Sequence, residues 1–314
     1  MDEPQLQPCY RHPDRMTYVT CRRCGKPICG ECMIPAAVGF QCPSCVKQGS
    51  RQTRQRRGAF GGALVGNNRS TSTVLIAINL LVFLLITASQ LLGFNWHIDQ
   101  WLGLRPTGLC LADASGNLYY QGANQAQCAQ AAGYWMPGLA SGAWWQIISS
   151  IFTHSAFMHL AMNMLTLWFI GPPLESFLGR ARFLAVYLIA GVGGSLAVFW
   201  LSAPLSLSYG ASGALFGVMG ALAIVLWRAH GDFTQLIIWI GLNLLITFVP
   251  TFAGGTSSIS WQAHLGGLVT GAIVAGVIDQ VHQHRAKPAV LWGTLAGLLL
   301  VFAVGFVARA MVLG

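Results

Sequence analysis

The sequence predicts an all-α polytopic membrane protein with seven spans and a small cysteine-rich N-terminal domain, and three observations carry that prediction. Only 9% of the 314 residues are Asp, Glu, Lys or Arg and 54% are hydrophobic, where a soluble domain is roughly a quarter charged. Seven apolar stretches are long enough to approach a bilayer's hydrocarbon thickness. Eight Cys and His residues fall in four close pairs within residues 9–45. An ordinary cytosolic enzyme is excluded by the first observation alone.

The first twenty residues are polar and lack an apolar h-region, so no cleavable signal peptide is expected. They open a run of pairs: Cys9-x2-His12, Cys21-x2-Cys24, Cys29-x2-Cys32 and Cys42-x2-Cys45. Each pair puts two ligands on one knuckle and two knuckles complete a tetrahedron, so eight ligands make two closed, structural zinc sites. A disulfide scaffold is the competing reading, and the reducing compartment assigned below removes its basis. Residues 1–48 contain too few large apolar side chains for a core of their own, so metal supplies folding energy. The spacing resembles the B-box type of zinc-binding domain. That resemblance implies cross-braced pairing, first pair with third and second with fourth; the spacing itself leaves sequential pairing open. The expected role is to bind a cytoplasmic protein partner or tune the membrane domain.

Residues 49–72 read as a basic, flexible linker carrying Arg51, Arg54, Arg56, Arg57 and Arg69 among Gln, Gly, Ser and Thr. Residues 1–73 hold 11 Lys/Arg against 4 Asp/Glu, which is +7 of the net +9. A nucleic-acid patch is one reading of such a run. Directly before a spanning helix it reads instead as a cytoplasmic anchor, held by the positive-inside rule and by anionic lipid; no nucleic-acid partner is expected.

Spans are expected at about 74–92, 147–171, 181–203, 209–227, 234–252, 259–278 and 289–308. Glu175, Arg180, Arg182, Arg228, Asp232, Asp279, Arg285 and Lys287 fall in alternate gaps, which puts those gaps and the N-terminus in the cytoplasm and the C-terminus outside. The long external connection holds Asp99, Asp113, Trp96, Trp101, Trp135, Trp144 and Trp145, a density suited to the membrane–water interface. It also holds Cys110 and Cys128, a candidate disulfide in an oxidising exterior.

Polar groups inside spans are functional candidates by default. Here they are His154, His159, Asn163, Ser212, Asn243 and His264. Ser212 lies 16 residues before Arg228, His264 15 before Asp279, and His159 16 before Glu175. At 1.5 Å per residue all three sit about 22–24 Å above the cytoplasmic boundary, on one level near the outer surface. Serine becomes nucleophilic when a neutral imidazole takes its proton. No intramembrane carboxylate lies at that depth, so the arrangement would be a dyad. Gly210, Gly213, Gly217 and Gly220 near the serine, and Gly266, Gly267, Gly271 and Gly276 after His264, allow their two helices to approach closely.

Gly210-Ala211-Ser212-Gly213, His264-x2-Gly267-x3-Gly271 and His159-x3-Asn163 together resemble the signature of rhomboid intramembrane serine proteases over about residues 72–282. The resemblance implies a six-helix core at 73–282 plus one C-terminal helix at 283–314. It implies Ser212 as nucleophile, His264 as base, and His159 with Asn163 as oxyanion-hole donors. Phe216 matches the aromatic that packs on the histidine, Gly210 allows close approach of substrate, and His154 matches a structural histidine. Glu175-x3-Gly179 matches a structural turn. Trp145-Gln146 stands where many members have Trp-Arg, so that arginine contact is absent. Asn243 lies in no motif and reads as interhelical packing.

The implied activity is hydrolysis of peptide bonds in or near transmembrane segments of membrane proteins, with no catalytic cofactor. An inactive rhomboid-like binder or escort is the alternative, although it need not keep the serine, the histidine and the donor pair. A transporter is a third reading, weakened by the lack of a long-range internal repeat and the off-centre polar cluster. The short Ala/Gly-rich architecture points to a bacterial plasma membrane.

Overall fold

The computed structural model describes residues 5–52, 60, 70–93, 97–112, 119–120, 124–252 and 260–313. Arg54, Arg56, Arg57 and Arg69 of the expected linker, with Trp96 and Asp113, lie outside them. The chain divides into two units, Met1–Arg56 and Arg57–Gly314.

In the first unit, hairpins β1 (Gln7–Pro8) with β2 (Met16–Thr17) and β3 (Ile34–Pro35) with β4 (Phe40–Gln41) precede α1 (Pro43–Gln52). The helix runs on to Gln52. Six of the seven cysteines are buried, and Ile28 is the large aliphatic fully enclosed among them. A core built from sulfur around one isoleucine is what so few apolar side chains permit.

The second unit is a helical bundle: α2 (Ser70–Leu91), the short α3 (Ile98–Leu102), α4 (Gln125–Gln130) and α5 (Gln146–Phe152), then α6 (Phe157–Leu178), α7 (Arg180–Leu201), α8 (Ser212–Ala229), α9 (Thr234–Phe252), α10 (Trp261–Gln283) and α11 (Pro288–Leu313). Of these, α2, α7, α8, α10 and α11 are long and apolar enough to cross a membrane. α6 has 22 residues and α9 19, and α6 carries His159, Asn163 and two internal prolines, which lower its hydropathy. The protein is a multi-pass membrane protein.

Two sequence expectations are corrected. The stretch 147–171 is two helices, because Thr153 turns extended and residues 153–156 break the run; His154 sits in this connection, outside any span. Glu175 and Asp279, expected in the cytoplasmic gaps after their spans, lie inside α6 and α10 at 2% and 4% exposure. The Glu175 carboxylate accepts from Thr71 N, Ser72 N and Ser72 Oγ at 3.1–3.2 Å and so caps the first turn of α2. Asp279 pairs with Arg228 of α8 at 2.7 Å.

α8 and α10 pack backbone to backbone. A Cβ on Gly267 would overlap the Gly213 carbonyl, one on Gly271 the Gly217 carbonyl, and one on Gly220 the Leu268 carbonyl. Small residues on one helical stripe therefore remove the side-chain layer between the two helices. α7 covers the pair, with Gly193 against Thr270 and Gly194 against Ala263. α11 lies along α7 through the stacked rings of Phe199 and Phe306, and Trp200 Nε1 donates to the Gly305 carbonyl at 3.1 Å. α9 meets α6 through the stacked rings of Phe169 and Trp239 and the donation of Asn243 Nδ2 to Thr166 Oγ1 at 3.4 Å, which makes Asn243 the interhelical contact expected of it.

Between α3 and α5 the chain forms a three-stranded antiparallel sheet, β5 (Leu109–Leu111) flanked by β6 (Tyr119–Tyr120) and β7 (Tyr134–Met136). The Cys110–Cys128 disulfide staples β5 to α4, with Cα atoms 5.5 Å apart.

Candidate active site

Ser212 opens α8, His159 lies in the first turn of α6, and His264 in the first turn of α10. The three side chains thus share one end of the bundle, as the spacing along the helices predicts. Ser260 helps to set that end by capping α10, its hydroxyl accepting from Ala263 N at 3.3 Å.

Close helix approach brings the residues flanking His264 against the first turn of the helix that Ser212 opens. Gly213 faces Ala263 and Gly267, the residues one before and three after His264. Phe216, one turn beyond Ser212, stacks on the His264 ring with centroids 4.2 Å apart. His264 is buried and Ser212 half-buried.

Gly210 has φ +125°, a conformation L side chains rarely adopt. A Cβ there would lie 2.6 Å from His159 Cε1 and 2.8 Å from Nε2, so only glycine lets this backbone reach the imidazole. Asn163 Nδ2 is close by, 3.6 Å from the same point. His159 Nε2 is buried and makes no hydrogen bond among the described residues. Two side-chain nitrogens therefore converge on the chain two residues before Ser212.

His154 holds this arrangement in place. Its Nε2 accepts from Asn163 Nδ2 at 3.0 Å and from the Ala211 backbone N at 3.4 Å, which puts the ring proton on Nδ1. Its ring meets that of His159 edge to face, centroids 5.1 Å apart. Gly210 N donates to the Ser150 carbonyl at 2.9 Å, and the Ser155 and Tyr209 hydroxyls meet at 2.5 Å, so the serine loop is tied to α5 and once more to the α5–α6 connection. A cavity of ≈20 Å³, room for about one water molecule, opens among Ser150, Ser195, Ser212 and Ser260.

Gln146 is the residue sequence reasoning undervalued. It is fully buried; its Oε1 accepts from Arg105 N at 3.1 Å and its Nε2 donates to the carbonyls of Pro137 at 2.9 Å and Trp101 at 3.4 Å. Trp145 Nε1 also donates to Trp101 O, and the two rings stack. The loop is anchored without the arginine expected at 146. Arg105 is itself buried; desolvation depresses its pKa, Asp99 opposes the shift, and the guanidinium donates to the Leu205 carbonyl.

In the N-terminal unit, Cys9, His12, Cys29 and Cys32 form one cluster and Cys21, Cys24, Cys42 and Cys45 the other, with ligand atoms in each within 4.8 Å of one another. This is the cross-braced arrangement. A tetrahedral zinc with Zn–S about 2.3 Å needs sulfurs about 3.8 Å apart, and Cys24 and Cys42 sulfurs stand 3.7 Å apart. His12 Nδ1 is 3.3 and 3.5 Å from the sulfurs of Cys29 and Cys32. Burial alone would raise Cys21, yet backbone N–H groups of Cys42, Arg23 and Cys24 bring it down to about 6. Cys45, hydrogen-bonded to Cys24 and buried among the other sulfurs, is pushed up to about 12. One thiolate forms readily and the last forms only beside a cation, so this cluster suits a metal ion.

Comparison with known proteins agrees with the geometry. Residues 141–280 match the rhomboid domain. The chain is 36% identical over 170 residues to "Rhomboid protease GluP" of Bacillus subtilis, covering 54% of this chain and 32% of that protein. It is 35% identical over 153 residues to "Putative rhomboid protease YdcA" of the same organism, covering 47% of this chain and 74% of that one. "Rhomboid protein 1, mitochondrial" of Saccharomyces cerevisiae is 31% identical over 162 residues, 46% of each chain. The matched stretch thus spans about a third of the first relative and three quarters of the second. Signature, geometry and kinship agree that the chain belongs to the rhomboid family.

Proposed function

We propose that the protein is an intramembrane serine protease that cuts transmembrane or membrane-adjacent segments of other membrane proteins. The observation that carries this reading is the convergence at one end of the bundle of Ser212, of His264 across the Gly213–Gly267 contact, and of His159 and Asn163 at Gly210.

Ser212 Oγ attacks the scissile carbonyl while His264 takes its proton. The oxygen of the tetrahedral intermediate receives hydrogen bonds from His159 Nε2, Asn163 Nδ2 and the Ser212 backbone N–H, donors aimed where charge develops. His154 keeps Asn163 and the Ala211 peptide in register for that task. His264 then protonates the leaving amine, and water held near Ser212 hydrolyses the acyl-enzyme. A scissile peptide has to leave its helix to expose a carbonyl, so substrates carry small, helix-weakening residues near the cut.

The charge distribution supports a cytoplasmic N-terminus, an external C-terminus and an external active-site end, and the short Ala/Gly-rich architecture supports a bacterial plasma membrane. The two N-terminal clusters hold structural zinc, and that unit binds a cytoplasmic protein partner. The test of the activity is cleavage of a single-span substrate in liposomes: Ser212→Ala and His264→Ala abolish it while the protein stays folded, and full cleavage by Ser212→Ala refutes the assignment.

A further inference from the structure

The segment that leads into the disulfide-stapled sheet between α3 and α5 is bound to the loop that delivers Ser212. Leu104 and Ser208 exchange both backbone hydrogen bonds at 2.8 and 2.9 Å, Thr107 N and Oγ1 both donate to the Pro204 carbonyl at 3.0 and 2.8 Å, and Arg105 donates to the Leu205 carbonyl at 3.0 Å. Where these pieces meet lies a cavity of ≈560 Å³, within the range of ligand sites, walled by the sheet, by Pro204 and Leu205, and by Leu313 at the end of α11. Its lining includes the side chains of Tyr120, Trp135 and Gln125, and among the described residues it contains no charged side chain. Both flanking strands, β6 and β7, pair only with β5 among the described residues and so leave outer edges to which an extended chain can add.

We infer that this cavity is an exosite for the substrate: it takes an uncharged, extended segment lying just outside the membrane, with an aromatic or aliphatic side chain against Tyr120 and Trp135. The occupant follows from the neutral lining and from the shared wall, because Pro204 and Leu205 belong to the loop that ends at Ser212. A chain seated here leads toward the serine, and the hydrogen bonds above fix the distance between the two. The inference rests on the protease reading and on its topology.

The test uses full-length Ser212→Ala protein in detergent and a fluorescent single-span peptide, either with an uncharged outer extension containing Tyr and Leu or cut back to the membrane edge. By fluorescence anisotropy the extended peptide binds about tenfold more tightly. Trp135→Ala removes that advantage, and so does Gln125→Glu, an exposed position whose change leaves the fold intact; Asp placed in the extension removes it too. Equal affinity of the two peptides, or an advantage that survives both substitutions, overturns the exosite. Because binding is read without the nucleophile, failure of the wild-type protein to cleave either peptide counts against the protease reading alone.

Discussion

The Phe216 ring lies flat on the His264 imidazole, centroids 4.2 Å apart and planes 12° apart. Ser212 and Phe216 are one helical turn apart on α8, so the ring that orients the histidine and the group it serves are carried by one rigid element. Phe216→Ala removes a contact of about 0.5–1.5 kcal/mol and frees the imidazole to rotate. The expected result is a roughly 3- to 10-fold fall in kcat with KM little changed, and Phe216→Tyr restores most of it. Steady-state kinetics on a single-span substrate checks this.

Gly267→Ala drives a methyl into the Gly213 carbonyl. Neither partner is a movable side chain, so α8 and α10 must separate, at a cost of about 1–3 kcal/mol, and the serine and histidine separate with them. Gly276→Ala on the same helix meets open space and is the control. Thermal unfolding in detergent and substrate cleavage both fall for Gly267→Ala and hold for Gly276→Ala.

At the opposite end of these two helices Arg228 pairs with Asp279, which is 6% exposed in its side chain. Arg228→Met leaves a buried carboxylate with the neutral Gln283 amide as its hydrogen-bond partner, whereas the pair Arg228→Met with Asp279→Leu removes the charge and returns the exposed Gln283 amide to water. Arg228 is itself 35% exposed, so the single change is expected to cost about 1–3 kcal/mol, below the range for a fully buried pair. The double variant recovers most of that loss in a thermal-melt cycle.

Metal analysis of the purified protein is expected to find about two zinc ions per chain. Cys42→Ala halves the content by opening one cluster, and a strong chelator unfolds the N-terminal unit, because Ile28 and a few partly buried side chains cannot hold it. Circular dichroism of that unit with and without chelator reads the effect.

Much of this arrangement was legible along the chain because membrane helices are straight. Fixed rise per residue turns spacing into depth, and Ser212, His159 and His264 do stand at one end of the bundle. The cysteine pairs were equally readable, since ligand spacing on a knuckle is local. The break at residues 153–156 was not, because Thr-His-Ser-Ala contains no proline or glycine; the turn is set by hydrogen bonds from Asn163 and Ala211 to His154, contacts 9 and 57 residues away. Gln146 was hidden for the same reason: its partners are backbone groups at 101, 105 and 137, and backbone groups leave no mark in composition. Glu175 and Asp279 read as the cytoplasmic ends of their helices because charge alone does not tell a cap or a buried ion pair from a boundary.

The central claim is that Ser212 is an activated nucleophile, and labelling with a fluorophosphonate tests it most directly, since the reagent needs no knowledge of the substrate. The expected result is one adduct per chain, mapped to Ser212 by mass spectrometry and lost in both Ser212→Ala and His264→Ala. An unlabelled wild-type protein, or an adduct that persists in Ser212→Ala, contradicts the account.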